Sequence, residues 1–118
     1  MDLLKRIKTL SEQYSDEVIE ARRHLHAHPE LSYQEFGTAE YVAKKLKGYG
    51  ISVKEGVATT GLVAEVEGRN PGKKVIALRA DMDALPINEA NDVPYKSTVP
   101  GVMHACGHDV HTSSLLGT

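Results

Sequence analysis

The hydrophobic period of this chain changes once, at Gly48-Tyr49-Gly50, and that switch limits the folds open to it. Before it, apolar residues recur at helical spacing. Leu3, Leu4, Ile7 and Leu10 form one stripe from residue 2 to about residue 12. Ser15, with Asp16 and Glu17 behind it, is a predicted N-cap for a second helix that runs through Val18, Ile19, Arg22 and Leu25 to about Ala27, where Pro29 ends it. A third helix is predicted from Thr38 to about Lys47, with Ala39, Val42, Ala43 and Leu46 facing inward. After Gly50 the period shortens. Ile51-Ser52-Val53 alternates, 62–66 is strand-like, and Val75-Ile76-Ala77-Leu78 is a short apolar run of the buried-strand kind. Arg69-Asn70-Pro71-Gly72 lies between the last two runs, so they are expected to pair as an antiparallel hairpin. Helices followed by strands, a loop and a helix imply an α/β layer arrangement.

Bulk properties exclude several functions. With 118 residues, of which 41% are hydrophobic, the chain has the size and the core material of one small domain, with no repeat and no linker. A formal charge of -2 with interspersed signs, an aromatic fraction of 5% and no Trp leave neither a basic face nor stacking platforms for nucleic acid. No apolar run approaches the roughly 20 residues of a membrane span, and the opening residues lack the apolar core of a signal peptide. A cytoplasmic location is therefore expected, and one unpaired Cys agrees with it. The stretch from 109 to 118 opens a helix, and the sequence stops about where that helix would reach its third turn, which predicts an N-terminal piece of a longer protein.

Chemistry concentrates at His-Ala-Cys-Gly-His-Asp-Val-His, residues 104–111. A thiol, three imidazoles and a carboxylate within eight positions point to a transition-metal site, and a lone Cys has no disulfide partner. Cys106 and His108 flank Gly107, whose backbone freedom lets both side chains converge, and they are the expected ligands. His104 and His111 stay open between ligation and a supporting or capping role, while Asp109 can cap the helix. A Cys nucleophile served by a His base is the weaker reading, because a neighbour two positions away is poorly placed as a base. Upstream, Arg79-Ala80-Asp81-Met82-Asp83 puts charges at the end of the apolar run, where open α/β sheets place their ligands. Asp81 and Asp83 share a face if the strand continues, and paired carboxylates need a cation or a proton between them. The alternative is that Arg79 neutralises one Asp while the other caps a turn. His24 and His28 stand at i, i+4 but lack the Glu of a zincin motif, so a structural role near a helix C-terminus is expected. The irregular run from Pro86 to Met103 is of a length that is uncommon unless it serves a site.

Three segments together resemble a known family: His-Pro-Glu-Leu-Ser at 28–32, Leu-Arg-Ala-Asp-Met-Asp-Ala-Leu-Pro-Ile at 78–87, and 100–111. In order and spacing they are similar to the metal-dependent amidohydrolase branch of the dinuclear metallopeptidases, which includes N-acyl-amino-acid amidohydrolases, hippurate hydrolases and auxin-conjugate hydrolases related to carboxypeptidase G. The resemblance implies the N-terminal part of a zinc-peptidase-like catalytic domain, with helices packed on a mixed sheet, spanning residues 1–118. It implies hydrolysis of the amide bond of N-acyl amino acids or small peptides with two divalent ions, whether Mn, Zn, Co or Ni. Cys106 and His108 would be metal ligands, the Cys bridging both ions. Asp83 would be a supporting catalytic residue that orients a ligand. Asp81, His104, Asp109 and His111 would be candidates for supporting positions around the ions. The family's catalytic Glu, a Glu ligand and two further His ligands would lie downstream of these residues, as would a satellite domain of the kind through which some members dimerise. The isolated chain is then expected to be inactive. A non-catalytic metal-binding or oligomerisation module is the alternative.

Overall fold

In the computed structural model, which describes residues 2–118, one helix stands where the sequence predicts two. α1 spans Leu3–Ala27 without a break, capped by the Asp2 carboxylate, which accepts from the Leu4 N–H at 3.1 Å. Ser15 does not cap. Its hydroxyl turns back to the Glu12 carbonyl at 3.1 Å, as Thr9 turns back to Lys5, so the helix keeps its backbone ladder through the predicted boundary. The C-terminus falls where expected, because Pro29 has no N–H and disfavours helical backbone at His28. There the His28 N–H closes on the carbonyls of His24 and Leu25, and its ring Nδ1 donates to His24 O at 2.7 Å. Only the second half of α1 is covered. Ala21, Leu25 and His26 are buried, whereas Leu3, Leu4 and Ile7 keep 71%, 75% and 52% of their surface.

α2, Phe36–Gly48, begins two residues earlier than predicted, since its cap comes from outside the helix. The Glu30 carboxylate accepts from the N–H groups of Gly37 and Thr38 and from the Thr38 hydroxyl, filling part of the unpaired first turn. Val42 and Ala43 bury the inner face, and Gly50, at φ 80°, turns the chain out.

The hairpin differs from the expected one. β1, Val53–Val57, pairs antiparallel with β2, Gly61–Ala64, so the second strand-like run joins the first instead of residues 75–78. Its turn carries no Asn-Gly or Asp-Gly signal; Ala58 and Thr59 take positive φ of 50° and 78°, and a buried bond from the Thr60 hydroxyl to Glu35 at 2.7 Å holds it. Gly61 is obligatory there, because a Cβ would stand 2.5 Å from the Val57 carbonyl oxygen. Residues 75–78 form no strand. Val75, Ile76 and Leu78 remain 94%, 82% and 65% exposed, since no described strand lies beside them to complete the backbone bonds of a buried run. The α/β arrangement is as expected, and its strand pairing among the described residues consists of the two-stranded antiparallel ribbon and two isolated bridges, Leu31 with Ala84 in parallel and Leu85 with Met103 antiparallel.

α3, His108–Gly117, packs on the covered half of α1. The radius of gyration, 15.6 Å, exceeds the about 13.5 Å of a tightly folded chain of this length, in keeping with the uncovered start of α1 and the free 65–80 segment. Among the described residues no helix is long and apolar enough to cross a membrane.

Candidate metal centre

Two chain segments meet at the N-terminus of α3. The first, 81–85, is pinned by the Ala84 N–H to Glu30 O at 2.8 Å and by the Leu85–Met103 bridge. The second is the start of α3, which Gly107 enters at φ 128°, a backbone that side-chain-bearing residues avoid. Helical spacing then divides α3: Asp109, Thr112 and Ser113 face the interior, while His108 and His111 face the 81–83 segment. The Thr112 hydroxyl ties the two together at Asp81 O, 2.8 Å.

Asp81, His108 and His111 each bring one donor atom within 4.8 Å of the others. His108 Nδ1 donates to the Asp83 carboxylate and carbonyl, both at 2.9 Å, an arrangement that in a neutral ring makes Nε2 the free lone pair. That nitrogen faces Asp81 Oδ2 at 3.3 Å. A lone pair opposed to a carboxylate oxygen is repulsive unless a proton or a cation lies between them. Two ligands of one tetrahedral ion, each about 2.1 Å from it, stand about 3.4 Å apart, so the spacing suits a divalent metal. His111 Nδ1 meets the other oxygen, Asp81 Oδ1, at 2.7 Å. This bond is the main reason that the Asp81 carboxyl lies below its ordinary range, with partial burial opposing it.

Behind α3 lies a buried ionic chain. Asp109, 1% exposed, accepts from Arg22 Nε at 3.0 Å and His26 Nδ1 at 2.8 Å. The other ring nitrogen of His26 meets both oxygens of Glu89, at 3.1 and 2.9 Å. Both ring nitrogens thus face carboxylates, and both can donate only when the ring carries two protons. Glu89 also takes the Ser97 N–H at 2.7 Å and the Asn91 amide at 3.1 Å. Burial by itself pushes the Glu89 carboxyl up, but the bonds from His26, Ser97 and Asn91 outweigh it and hold it at about 2. Tyr95 closes the cluster edge-on to His26, with the guanidinium groups of Arg22 and Arg23 over its face.

The profile described as peptidase family M20/M25/M40 matches residues 77–118, the part that holds this cluster. Thermostable carboxypeptidase 2 of Saccharolobus solfataricus is 52% identical over 118 residues, covering 99% of this chain and 30% of its own length. Residues 77–118 match the M20/M25/M40 peptidase family, and the chain as a whole is similar to its members. N-acyl-L-amino acid amidohydrolase of Geobacillus stearothermophilus is likewise 52% identical, over 95% of this chain and 30% of its own. Among solved structures, the Bacillus subtilis YXEP protein, a dinuclear metal binding peptidase from the M20 family, superposes with a TM-score of 0.83 at 45% identity, over 89% of this chain and 30% of that one. The chain therefore spans about 30% of the length of the relatives it matches.

The residues singled out from sequence fall into three places. Asp81, His108 and His111 meet, with Asp83 on the back of His108. Cys106 is exposed and outside that trio. Asp109 points into the interior, and His104 is 5% exposed with no partner on either ring nitrogen; burial lowers its pKa. His24 stacks between His28 and Tyr41, at the rim of a separate hollow of about 330 Å³ that contains none of the trio. Sequence reasoning missed His26, Glu89 and Arg22. The signal for His26 was present: it shares the inward face of α1 with Ala21 and Leu25, where an imidazole must find partners. Glu89 sits in an irregular run, and no local pattern marks it.

Proposed function

We propose that the chain supplies part of the metal site of a hydrolase acting on linear amides, with N-acyl amino acids or small peptides as substrates. The observation that carries this reading is His108 Nε2 facing Asp81 Oδ2 at 3.3 Å while Asp83 grips the opposite nitrogen. His108, His111 and Asp81 would hold one divalent ion, and Cys106, one glycine away from His108, would serve a second. The YXEP protein, dinuclear by its own description, supports the pair. The chemistry that such ions would supply there is polarisation of an amide carbonyl and acidification of water. Asp83 keeps the His108 proton on Nδ1 and fixes the plane of the ring, and Asp81 balances positive charge beside both imidazoles.

The general base is assigned outside these 118 residues. Asp81 and Asp83 both already bind imidazoles, so neither is free to carry a proton to a leaving nitrogen. Hydrolysis of N-acetyl- and N-benzoyl-amino acids, assayed in the protein that carries this sequence with Mn, Co or Zn added, tests the reading. Activity that H108A and C106A abolish is the expected result. Full activity in both variants would refute the assignment, and tight metal binding with no hydrolysis would favour the non-catalytic module.

A further inference from the structure

The buried chain Arg22–Asp109–His26–Glu89 links three parts of the molecule through charged side chains: α1, the first turn of α3 and the irregular run after Pro86. We infer that His26, clamped between Glu89 and Asp109, is a positioning residue for the metal donors on α3, an inference that rests on the metal reading above. The reason is geometric. Asp109 follows His108 directly, and successive residues of a helix are about 100° apart, so fixing Asp109 from behind sets the direction of His108 and His111 in front. Gly107 provides no side-chain cap, and Asp109's own contact with the helix start is the Val110 N–H at 3.0 Å. The rotation of α3 is therefore held from behind by Arg22 and His26, as it is held in front by the Thr112 hydroxyl on Asp81 O. Donor atoms about 6 Å from a helix axis move about 1 Å for every 10° of rotation. Metal sites tolerate only about 0.2 Å in ligand distance, so a small loosening of this clamp is large on the scale of coordination.

The irregular run acquires a task in this arrangement. Glu89 is fixed by Ser97 and Asn91 from its own segment, so 89–97 forms a small cage whose output is the orientation of one imidazole on α1. Replacing His26 by Leu removes the link and leaves two buried carboxylates with fewer donors.

Cobalt titration of the intact protein tests the role, with affinity and visible d–d absorption as readouts and thermal melting alongside. In H26L, cobalt affinity should fall about 10- to 100-fold, the effect usual for residues that orient a ligand, and the absorption bands should shift. R22Q, at a half-exposed position that keeps His26, should change both in the same direction by less, and it decides the matter if H26L does not fold. V42A serves as the control: it cuts the core away from the clamp, so its melting temperature should fall with cobalt affinity and bands unchanged. If R22Q and any folded H26L behave like V42A, the clamp is merely structural and the inference fails. Absence of cobalt absorption in the unaltered protein would instead remove the metal reading, and the positioning role with it.

Discussion

Acid should unfold this protein partly through one carboxyl, that of Glu89. Its side chain is almost fully buried, and its pKa falls from an ordinary 4.5 to about 2 in the folded chain. A depressed folded-state pKa means that the unfolded chain binds the proton first. The stabilisation is therefore complete above pH 4.5 and is lost as pH falls from there towards 2. At 1.36 kcal/mol for each pH unit, the difference amounts to about 3 kcal/mol, a large share of the 5–15 kcal/mol typical of a domain. Glu89→Gln tests this because glutamine has the shape of the protonated acid, so the variant at pH 7 should already sit near the acid limit, about 3 kcal/mol less stable than the parent. Urea unfolding followed by far-UV circular dichroism at several values between pH 7 and 3 gives both curves, and the parent should converge on the variant as pH drops. Contributions from Asp81 and His104 are common to both proteins and cancel in the comparison. Parallel curves, with a gap at pH 3 within about 1 kcal/mol of that at pH 7, would show that the cage around Glu89 does not favour its charge, and would refute the reasoning.

Three further outcomes follow from single contacts. Asp83→Asn keeps the bulk behind His108 but loses the charged acceptor for Nδ1, and isothermal titration should show metal affinity reduced about 10-fold or more; an unchanged value would separate Asp83 from the site. His104→Leu removes two buried nitrogens without partners, so chemical denaturation at pH 7 should find stability equal or raised by about 1 kcal/mol. Because burial lowers the folded-state pKa of His104 below 6.5, the parent should lose stability on this account as pH falls through 6.5, and the Leu variant should lack that part of the slope. Gly61→Ala forces a Cβ against the Val57 carbonyl and should cost about 1–3 kcal/mol, read as a lower melting temperature; a neutral result would mean that the hairpin closes differently.

Sequence alone placed the helical stretches well and the strands poorly, and the particular failures share a cause. Ser15 has the composition of an N-cap, but a hydroxyl can equally bond back within a helix, and only the surrounding turns decide which it does. The strand-like run at 62–66 was assigned the wrong partner. Its true turn uses Ala58 and Thr59 in left-handed backbone, and the bond that steadies it comes from Glu35, more than twenty residues away. Residues 75–78 carry the pattern of a buried strand, yet a strand is a relation between segments, and the described residues provide none beside it.

What the residues determined by themselves is local: helical stripes with their proline and glycine stops, and a cluster of metal-seeking side chains whose types and spacing needed no fold to be recognised. Tertiary structure alone decided which donors meet. It brought Asp81 to His108 and His111 across some thirty residues, left Cys106 at the surface, and built a buried ionic chain from Arg22, His26, Glu89 and Asp109. The division is physical: backbone preference and hydrophobic period act over a few residues, whereas a buried charge or an ion site is satisfied only by partners that packing delivers from elsewhere in the chain.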